Sequence, residues 1–398
     1  MWRYSIAKQN RLKCRMQKFT VPIPLSLYIH LPWCVRKCPY CDFNSHSAPE
    51  TLPEKAYVEA LLADLKEQFP FIDNRCIQSI FFGGGTPSLF SAAAVNDILS
   101  EINRLLRMEP TIEITLEANP GTIDESRFAG FKAAGINRLS LGVQSLQDEK
   151  LKQLGRIHGR DQALRAIESA QSAGFQNINI DLMHGLPGQS LEDALEDLND
   201  ALAFNTPHLS WYQLTIEPNT FFHTYPPPLP PDETLWMIQE EGKKLINTKM
   251  QGYEISAYAL PGKECRHNLN YWEFGDYVGI GAGAHSKITD FEKQHIIRHW
   301  QMKNPRDYLN PEKSFTAEKK VITPPDVIFE FMLNALRLKE GVLTTLFTER
   351  TGLPTHMLEP ALSLAKQKNL LCDEKNRLKP TSLGFQFLND LIGMFLPG

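Results

Sequence analysis

The chain has 398 residues, of which 42% are hydrophobic and 22% are charged, and its formal net charge is −4. This charge balance provides no basic face for general nucleic-acid binding, and no run of about 18 apolar residues predicts a membrane-spanning helix. The seven cysteines are an odd number and four of them are scattered. This usage argues against a disulfide framework and predicts a reducing, cytoplasmic location.

The N-terminal segment is basic but has no apolar centre, so it is not a secretory signal. We expect residues 1–22 to be a disordered or additional tail, and Met16 is an alternative first residue. After it, six short apolar runs alternate with helical patterns, at residues 26–31, 77–83, 111–118, 137–143, 177–183 and 208–216. Gly135 and Gly174 stand where helix C-terminal caps are expected.

This alternation predicts an α/β fold with parallel strands joined by right-handed crossovers. Six such units fit an open (β/α)6 partial barrel over residues 23–224, with a site built by the loops at the carboxyl ends of the strands. The proline run YPPPLPPDE excludes regular helix and central strand, so residues 225–299 are expected to hold a connector and a region that completes the barrel. Residues 300–398 are expected to form a small helical domain, with a winged helix as one option.

The loop after the first run carries Cys34, Cys38 and Cys41 at CxxxCxxC spacing. Three thiolates at this spacing can converge on one 4Fe-4S cluster, which normally takes four cysteines. One iron is then left open, and we interpret it as the seat of S-adenosylmethionine (SAM). A zinc site that also uses His46 is the alternative, although structural zinc sites usually take two separated ligand pairs and no second pair follows here.

Glycine and polar residues stand at the ends of the following runs. Gly83–Gly85 allow close approach of a ligand, with a tight turn as the alternative. Glu117, Gln144, Arg156 and Asp181 supply the donors and acceptors that an amino acid, a ribose and a sulfonium need. A solvated rim carboxylate is the alternative for Glu117. Because these residues fall on one face of the predicted barrel, they predict a cofactor site.

A second motif, HNxxYW, is formed by His267, Asn268, Tyr271 and Trp272. Imidazole is a common axial ligand of heme iron, and aromatic rings can stack on a macrocycle. A packed aromatic corner with a hydrogen-bonded histidine is the alternative. The rival candidates for a heme ligand are His158, His184, His285 and Cys265.

The blocks YIHLPWC, GGGTPS, LGVQS and IDLMHGLPG resemble the radical SAM superfamily, and specifically its oxygen-independent coproporphyrinogen III oxidase-like members. The resemblance extends from the first strand to about residue 390. It implies a 4Fe-4S cluster on the three cysteines and SAM beside it. The SAM contacts that it implies are Tyr28, Gly84, Gly85, Thr86, Glu117, Gln144, Arg156 and Asp181, with Thr215 and His285 aligned less securely.

One departure points to a particular branch of the family. The oxidases carry a further cysteine two residues after the third, where this chain has Phe43. With HNxxYW, this resembles the heme-chaperone branch, whose members bind heme and deliver it to acceptor proteins. The resemblance implies heme near His267, Tyr271 and Trp272, acceptor proteins with the membrane surface as one place of delivery, and a homodimer as one assembly state. A radical SAM enzyme acting on a porphyrinogen is the alternative function.

Overall fold

A computed structural model describes residues 19–397. Its strands, numbered in chain order, are β1 Leu25–Leu31, β2 Trp33–Cys34, β3 His46–Ser47, β4 Ile77–Gly84, β5 Met108–Ala118, β6 Arg138–Gln144, β7 Ile178–His184, β8 His208–Gln213, β9 Gln251–Gly252, β10 Ala257–Ala259, β11 Asp276–Ile280, β12 His285–Asp290, β13 His295–Gln301, β14 Thr316–Val321, β15 Val342–Leu343 and β16 Arg377–Leu378. All six predicted strands are present.

The α-helices are α1 Glu54–Glu67, α2 Phe69–Ile72, α3 Ala92–Leu105, α4 Glu125–Ala133, α5 Asp148–Gln153, α6 Arg160–Ser172, α7 Leu191–Ala203, α8 Phe221–Thr224, α9 Asp232–Ile246, α10 Arg266–Trp272, α11 Pro305–Tyr308, α12 Pro324–Ala335, α13 Thr344–Thr351, α14 Ala361–Gln367, α15 Ser382–Gln386 and α16 Leu388–Gly393. Short 3-10 helices cover Pro87–Leu89, Pro120–Thr122 and Thr355–Leu358. Gly135 and Gly174 adopt positive φ after α4 and α6, as expected of helix caps.

The main sheet has the order β14-β13-β12-β11-β1-β4-β5-β6-β7-β8-β10-β9. The predicted strands β1, β4, β5, β6, β7 and β8 lie side by side in chain order and are parallel. Strand β11 adds a further parallel partner to β1, and antiparallel strands extend both ends of the sheet. The expected open α/β architecture is confirmed.

The parallel strands are held by apolar side chains on the face that packs against the helices. Leu25, Leu27, Ile29 and Leu31 of β1 are fully buried among the helices and neighbouring strands. Each such side chain contributes about 1.5–3 kcal/mol by leaving water. Because these strands are parallel, their carboxyl ends meet at one edge, where the cysteine loop, Gly84 and Glu117 come together with the ends of β6 and β7.

The sheet continues beyond the predicted boundary at residue 300. Strands β13 and β14 carry it to Val321, so the helical part begins at Pro324. The exposed, polar pattern TAEKKV of β14 explains why this edge strand gave no apolar signal. Within the helical part, β15 and β16 form a two-stranded antiparallel sheet.

The described part of the N-terminal segment packs on the C-terminal region. Residues 1–18 lie outside the described residues, but Phe19 and Ile23 are buried in a second apolar cluster with Phe331 and Leu391. Phe19 also makes an edge contact with the ring of Phe291, with centroids 6.0 Å apart, so the end of the expected disordered or additional tail packs against the rest of the chain. No helix between residues 19 and 397 is long and apolar enough to span a membrane.

Candidate cofactor and heme sites

The cysteine loop directly follows β1 and is anchored by backbone pairing. Strand β2, which ends at Cys34, pairs in parallel with β3, and the N–H of Cys41 donates to the Cys38 carbonyl at 3.2 Å. Burial raises the pKa of the Cys34 and Cys41 thiols. Arg156 donates from Nη1 to Cys38 Sγ at 3.6 Å. The three thiols thus open into one cavity beside the positive charge of Arg156.

The loop geometry gives no support to a single zinc ion. Among residues 19–397, no three His, Cys, Asp or Glu side chains lie close enough together to hold one metal ion. The thiolates of a cubic cluster each bind a different iron, so they stand further apart than the ligands of one ion. All three cysteines still line the same cavity, of about 590 Å³, which we call the cofactor cavity.

The glycine motif is packed against the cysteine loop. Gly84 has φ +120°, and a Cβ on Gly85 would lie 2.5 Å from the Trp33 carbonyl oxygen. The N–H of Gly85 donates to the Leu31 carbonyl and that of Thr86 to the Trp33 carbonyl, both at 2.8 Å. The glycines are therefore required for the close approach of two backbones. Contact with the methionine end of SAM stays a prediction.

Two carboxylates face the middle of the cofactor cavity. Asp181 accepts hydrogen bonds from Ser140 Oγ at 2.9 Å and Asn179 Nδ2 at 2.8 Å. Burial, together with the nearby charge of Asp181, raises the pKa of Glu117 to about 8. A nearby cation stabilises the ionised form of a carboxyl whose pKa is raised in this way. The pair therefore suits a ligand that carries a sulfonium and an ammonium.

Gln144 and Arg156 are held in position by neighbouring strands. Gln144 ends β6 with φ +72°, which is uncommon for a residue other than glycine, and its Oε1 accepts a hydrogen bond from Tyr212 Oη at 2.7 Å. Arg156 donates from Nη2 to the Gly142 carbonyl at 2.6 Å. Strained backbone that the surrounding structure enforces is typical of binding sites.

The cofactor cavity collects nearly all the residues expected at the site. They are Tyr28, Cys34, Cys38, Cys41, Gly84, Gly85, Thr86, Glu117, Gln144, Arg156, Asp181, Thr215, His267, Tyr271 and Trp272. His285 is separate, since it lines a neighbouring cavity of about 850 Å³.

Helix α10 holds the HNxxYW motif in a tightly bonded arrangement. His267 is only 1% exposed, and its Nδ1 shares a hydrogen bond with Ser79 Oγ at 2.9 Å. Its Nε2 shares another with Tyr271 Oη at 3.0 Å. Burial and the charge of Arg138 lower the pKa of His267 to about 3, so the imidazole is neutral. Both ring nitrogens are engaged, which matches the packed-corner alternative more closely than a free heme ligand.

The rival heme ligands are also placed. His158 uses both ring nitrogens, on Asn119 Oδ1 and the Val143 carbonyl. His184 is buried with its ring centroid 4.2 Å from that of Trp211. Cys265 is fully buried beside Glu113. None of these three opens into the cofactor cavity or its neighbour.

Sequence reasoning missed a buried cation in the cofactor cavity. Arg138 is 2% exposed, lies 4.0 Å from Glu113 Oε2, and its Nε makes no hydrogen bond among the described residues. The available signal was a charged residue at the start of an otherwise apolar strand. It supplies positive charge between the carboxylates Glu113 and Asp181.

The donor set fits a 4Fe-4S cluster with SAM. Three thiols in the cofactor cavity leave the fourth cluster corner without a protein ligand, and two carboxylates with raised pKa values line the same cavity. Acceptors for ribose hydroxyls and for an ammonium are therefore available beside the predicted cluster.

Comparison with known proteins agrees with this geometry. Residues 28–201 match the family model of the radical SAM superfamily, and residues 322–387 match that of the HemN C-terminal domain. The heme chaperones HemW of Haemophilus influenzae and Escherichia coli are each 48% identical to the chain, over 94% of it and 98% of their own length. The solved structure of coproporphyrinogen III oxidase (HemN) from Escherichia coli has TM-score 0.79 at 21% identity, covering 94% of this chain and 90% of that one, and shares the fold.

Proposed function

The chain belongs to the radical SAM superfamily and, within it, to the HemW family of heme chaperones, and we propose that it binds heme and passes it to acceptor proteins. The observation that carries this proposal is the 48% identity to relatives named heme chaperones, over 98% of their length. Membership of the superfamily implies a 4Fe-4S cluster and SAM. A cytoplasmic location, with heme handed over at the membrane surface, and a homodimer are parts of the same proposal.

Six residues of the cofactor cavity have defined roles in this proposal. Cys34, Cys38 and Cys41 hold three irons, and when bound the cluster supplies an open iron and an electron. Arg156 holds a positive charge beside Cys38 through its hydrogen bond to Sγ. Glu117 and Asp181 bind the cationic part of SAM. The heme-binding part of the proposal rests on the relatives and on the aromatic residues around α10.

Phe43 supports the chaperone over the oxidase. It stands where the oxidase-like proteins carry a further cysteine, and it is 60% exposed at the mouth of both cavities. A large apolar side chain in this position offers contact area to a macrocycle but no ligand to a metal.

A heme-transfer assay tests the function. Anaerobically reconstituted protein is loaded with one equivalent of hemin, and transfer to apomyoglobin is followed by absorbance at several apomyoglobin concentrations. We expect saturable hemin binding and a transfer rate that rises with acceptor concentration. A rate independent of the acceptor would indicate release to solvent and contradict delivery. Full-rate transfer by a triple Cys34→Ser, Cys38→Ser, Cys41→Ser variant would contradict a role of the cluster.

A porphyrinogen enzyme is the second candidate, because every more securely aligned SAM residue lines the cofactor cavity. It predicts anaerobic consumption of coproporphyrinogen III with SAM and a reductant, giving protoporphyrinogen. If the wild-type protein binds hemin saturably and leaves coproporphyrinogen unchanged, the chaperone is supported and the enzyme is excluded.

A further inference from the structure

A second cavity adjoins the cofactor cavity. It has a volume of about 850 Å³, lies between the cysteine loop and strands β11 and β12, and is lined by His30, His46 and His285. We call it the histidine cavity. Its volume lies within the range of about 300–1,000 Å³ that small-molecule and cofactor sites occupy.

The two cavities share one wall. Tyr28, Phe43, Glu117 and Tyr271 line both of them. Since Tyr28 and Glu117 are expected SAM contacts, a ligand in the histidine cavity would lie directly against SAM. It would contact aromatic rings on this wall. The ring of Tyr271 packs edge-on against that of Tyr277, with ring centroids 4.5 Å apart.

The three histidines differ in how free their ring nitrogens are. His30 uses both, on Tyr28 Oη at 3.0 Å and the Asn44 carbonyl at 2.9 Å. The Nε2 of His46 is buried and makes no hydrogen bond in the described part of the chain. His285 is exposed in the cavity wall, and between residues 19 and 397 neither of its ring nitrogens has a hydrogen-bond partner. It is thus the imidazole most accessible to a metal.

Charges are segregated across the histidine cavity. The carboxylates Asp42, Glu117 and Glu217 lie on the wall shared with the cofactor cavity, whereas Lys37 and Lys303 line the histidine cavity alone. Within the described residues the ammonium group of Lys303 forms no ion pair, and Lys37 Nζ donates only to the Phe43 carbonyl, at 3.2 Å. Lysines of this kind can pair with carboxylates of a ligand.

We propose that the histidine cavity is the heme-binding site, with His285 as axial ligand of the iron and Lys37 and Lys303 facing the propionates. This inference rests on the proposed function and assigns its site to residues outside the HNxxYW motif. His267 then supports the shared wall through Tyr271 and does not bind iron.

The environment of His285 suits this role. A metal binds the neutral imidazole, and desolvation at the cavity wall, with the charges of Arg298 and Lys303, lowers the pKa of His285 to about 4. Its ring makes an edge contact with Trp300, with centroids 5.8 Å apart, which supports the imidazole from one side. At neutral pH the imidazole is therefore unprotonated and held in place.

The test is an anaerobic hemin titration of the reconstituted full chain, read by the Soret absorbance. The variants are His285→Ala, Lys303→Glu and, as a matched control, His356→Ala, an exposed histidine in the C-terminal region. We expect His285→Ala to shift the Soret band and weaken binding at least tenfold, Lys303→Glu to weaken binding severalfold without a band shift, and His356→Ala to match the wild type. Added imidazole should restore the wild-type band in His285→Ala.

The outcomes distinguish failure of the proposed function from failure of the site assignment alone. If the wild-type protein does not bind hemin saturably, the proposed function fails together with the site. If the wild type binds and His285→Ala keeps its band position and affinity, only the assignment of the site is overturned. Iron content and the far-UV circular dichroism spectrum of each variant report folding, so if His285→Ala loses both it is replaced by His285→Gln, for which the same band shift is expected.

Discussion

The cysteine loop and helix α10 both carry metal-binding residue types, but they differ in how many of those groups are already used by the protein. The three thiols open into the cofactor cavity. His267 is buried and both of its ring nitrogens are bonded to Ser79 and Tyr271. Side chains whose polar atoms have no partner in the protein are available to bind ligands, whereas side chains whose polar atoms are already hydrogen-bonded stabilise the fold. Substitutions should therefore separate ligand binding from stability.

The largest effect is expected at the cysteines. Replacing Cys34, Cys38 and Cys41 together by Ser should remove the cluster completely, because serine does not supply the thiolates that iron requires. Folding of the apo-protein should change little, since the loop is anchored by the backbone pairing of β2 and β3. Iron content and the visible absorbance of the cluster are measured. An iron-to-protein ratio equal to that of the wild type would show that these three thiols do not hold the cluster.

A smaller effect is expected for Glu117→Gln. A hydrogen bond to a charged group contributes about 1.5–3 kcal/mol, so SAM should bind at least about tenfold more weakly. The variant is isosteric, and a normal cluster content serves as its control. Equilibrium binding of SAM to the reconstituted protein at fixed pH measures the effect. Unchanged affinity would show that Glu117 does not contact the cation.

The pH dependence of SAM binding tests whether Glu117 contacts the cation in its ionised form. The folded pKa of Glu117 is raised to about 8, so the free protein holds this proton at neutral pH and must release it when the cation binds. Affinity should rise as the pH increases toward 8 and level off above it. Asp181, Arg138 and Tyr28 also face this carboxyl. In Glu117→Gln the rise should be much smaller, and an equally steep rise would assign the proton to another group.

Because both ring nitrogens of His267 are hydrogen-bonded within the protein, His267→Ala should lower the free energy of unfolding. It leaves the Tyr271 hydroxyl without a partner and Ser79 Oγ with only its hydrogen bond to Ser26 Oγ, which costs about 1–3 kcal/mol in the free energy of unfolding. Hemin affinity and the Soret position of the folded protein should match the wild type. Urea unfolding of the apo-protein and a hemin titration measure the two quantities. A lost Soret band at unchanged stability would make His267 a ligand.

The smallest effect is expected for Tyr271→Phe. This change removes the hydroxyl that bonds to His267 Nε2 and keeps the ring that packs on Tyr277. The free energy of unfolding should fall by about 1 kcal/mol. Tyr225→Phe, an exposed tyrosine next to α8, is the control and should be neutral. Equal effects of the two changes would mean that the hydrogen bond contributes nothing.

Local pattern was sufficient for much of the fold and of the cofactor cavity. Apolar residues recur at every second position of β1, β6 and β7, and such short, strand-like runs between helical patterns allowed β1 and β4 to β8 to be predicted with their helices. Residues at the carboxyl ends of such strands must converge, which is why the sequence pattern alone groups Glu117, Gln144 and Asp181.

Long-range partners decided what could not be predicted. The bond between His267 and Ser79 joins residues 188 positions apart. The ion cluster of Arg75, Asp276 and Lys287 is likewise assembled from distant segments. Strand β14 is exposed and polar, so no periodicity marked it. Whether a histidine is open or engaged depends on such contacts, which no short motif contains.

The most direct test of the account is whether heme and SAM bind at the same time. Hemin is titrated into the cluster-reconstituted protein with and without saturating SAM, and bound SAM is counted at each point by rapid gel filtration. The account predicts one equivalent of each ligand together, because the histidine and cofactor cavities share a wall but not a site. Displacement of SAM by hemin in equal amounts would place both ligands in the cofactor cavity and contradict it.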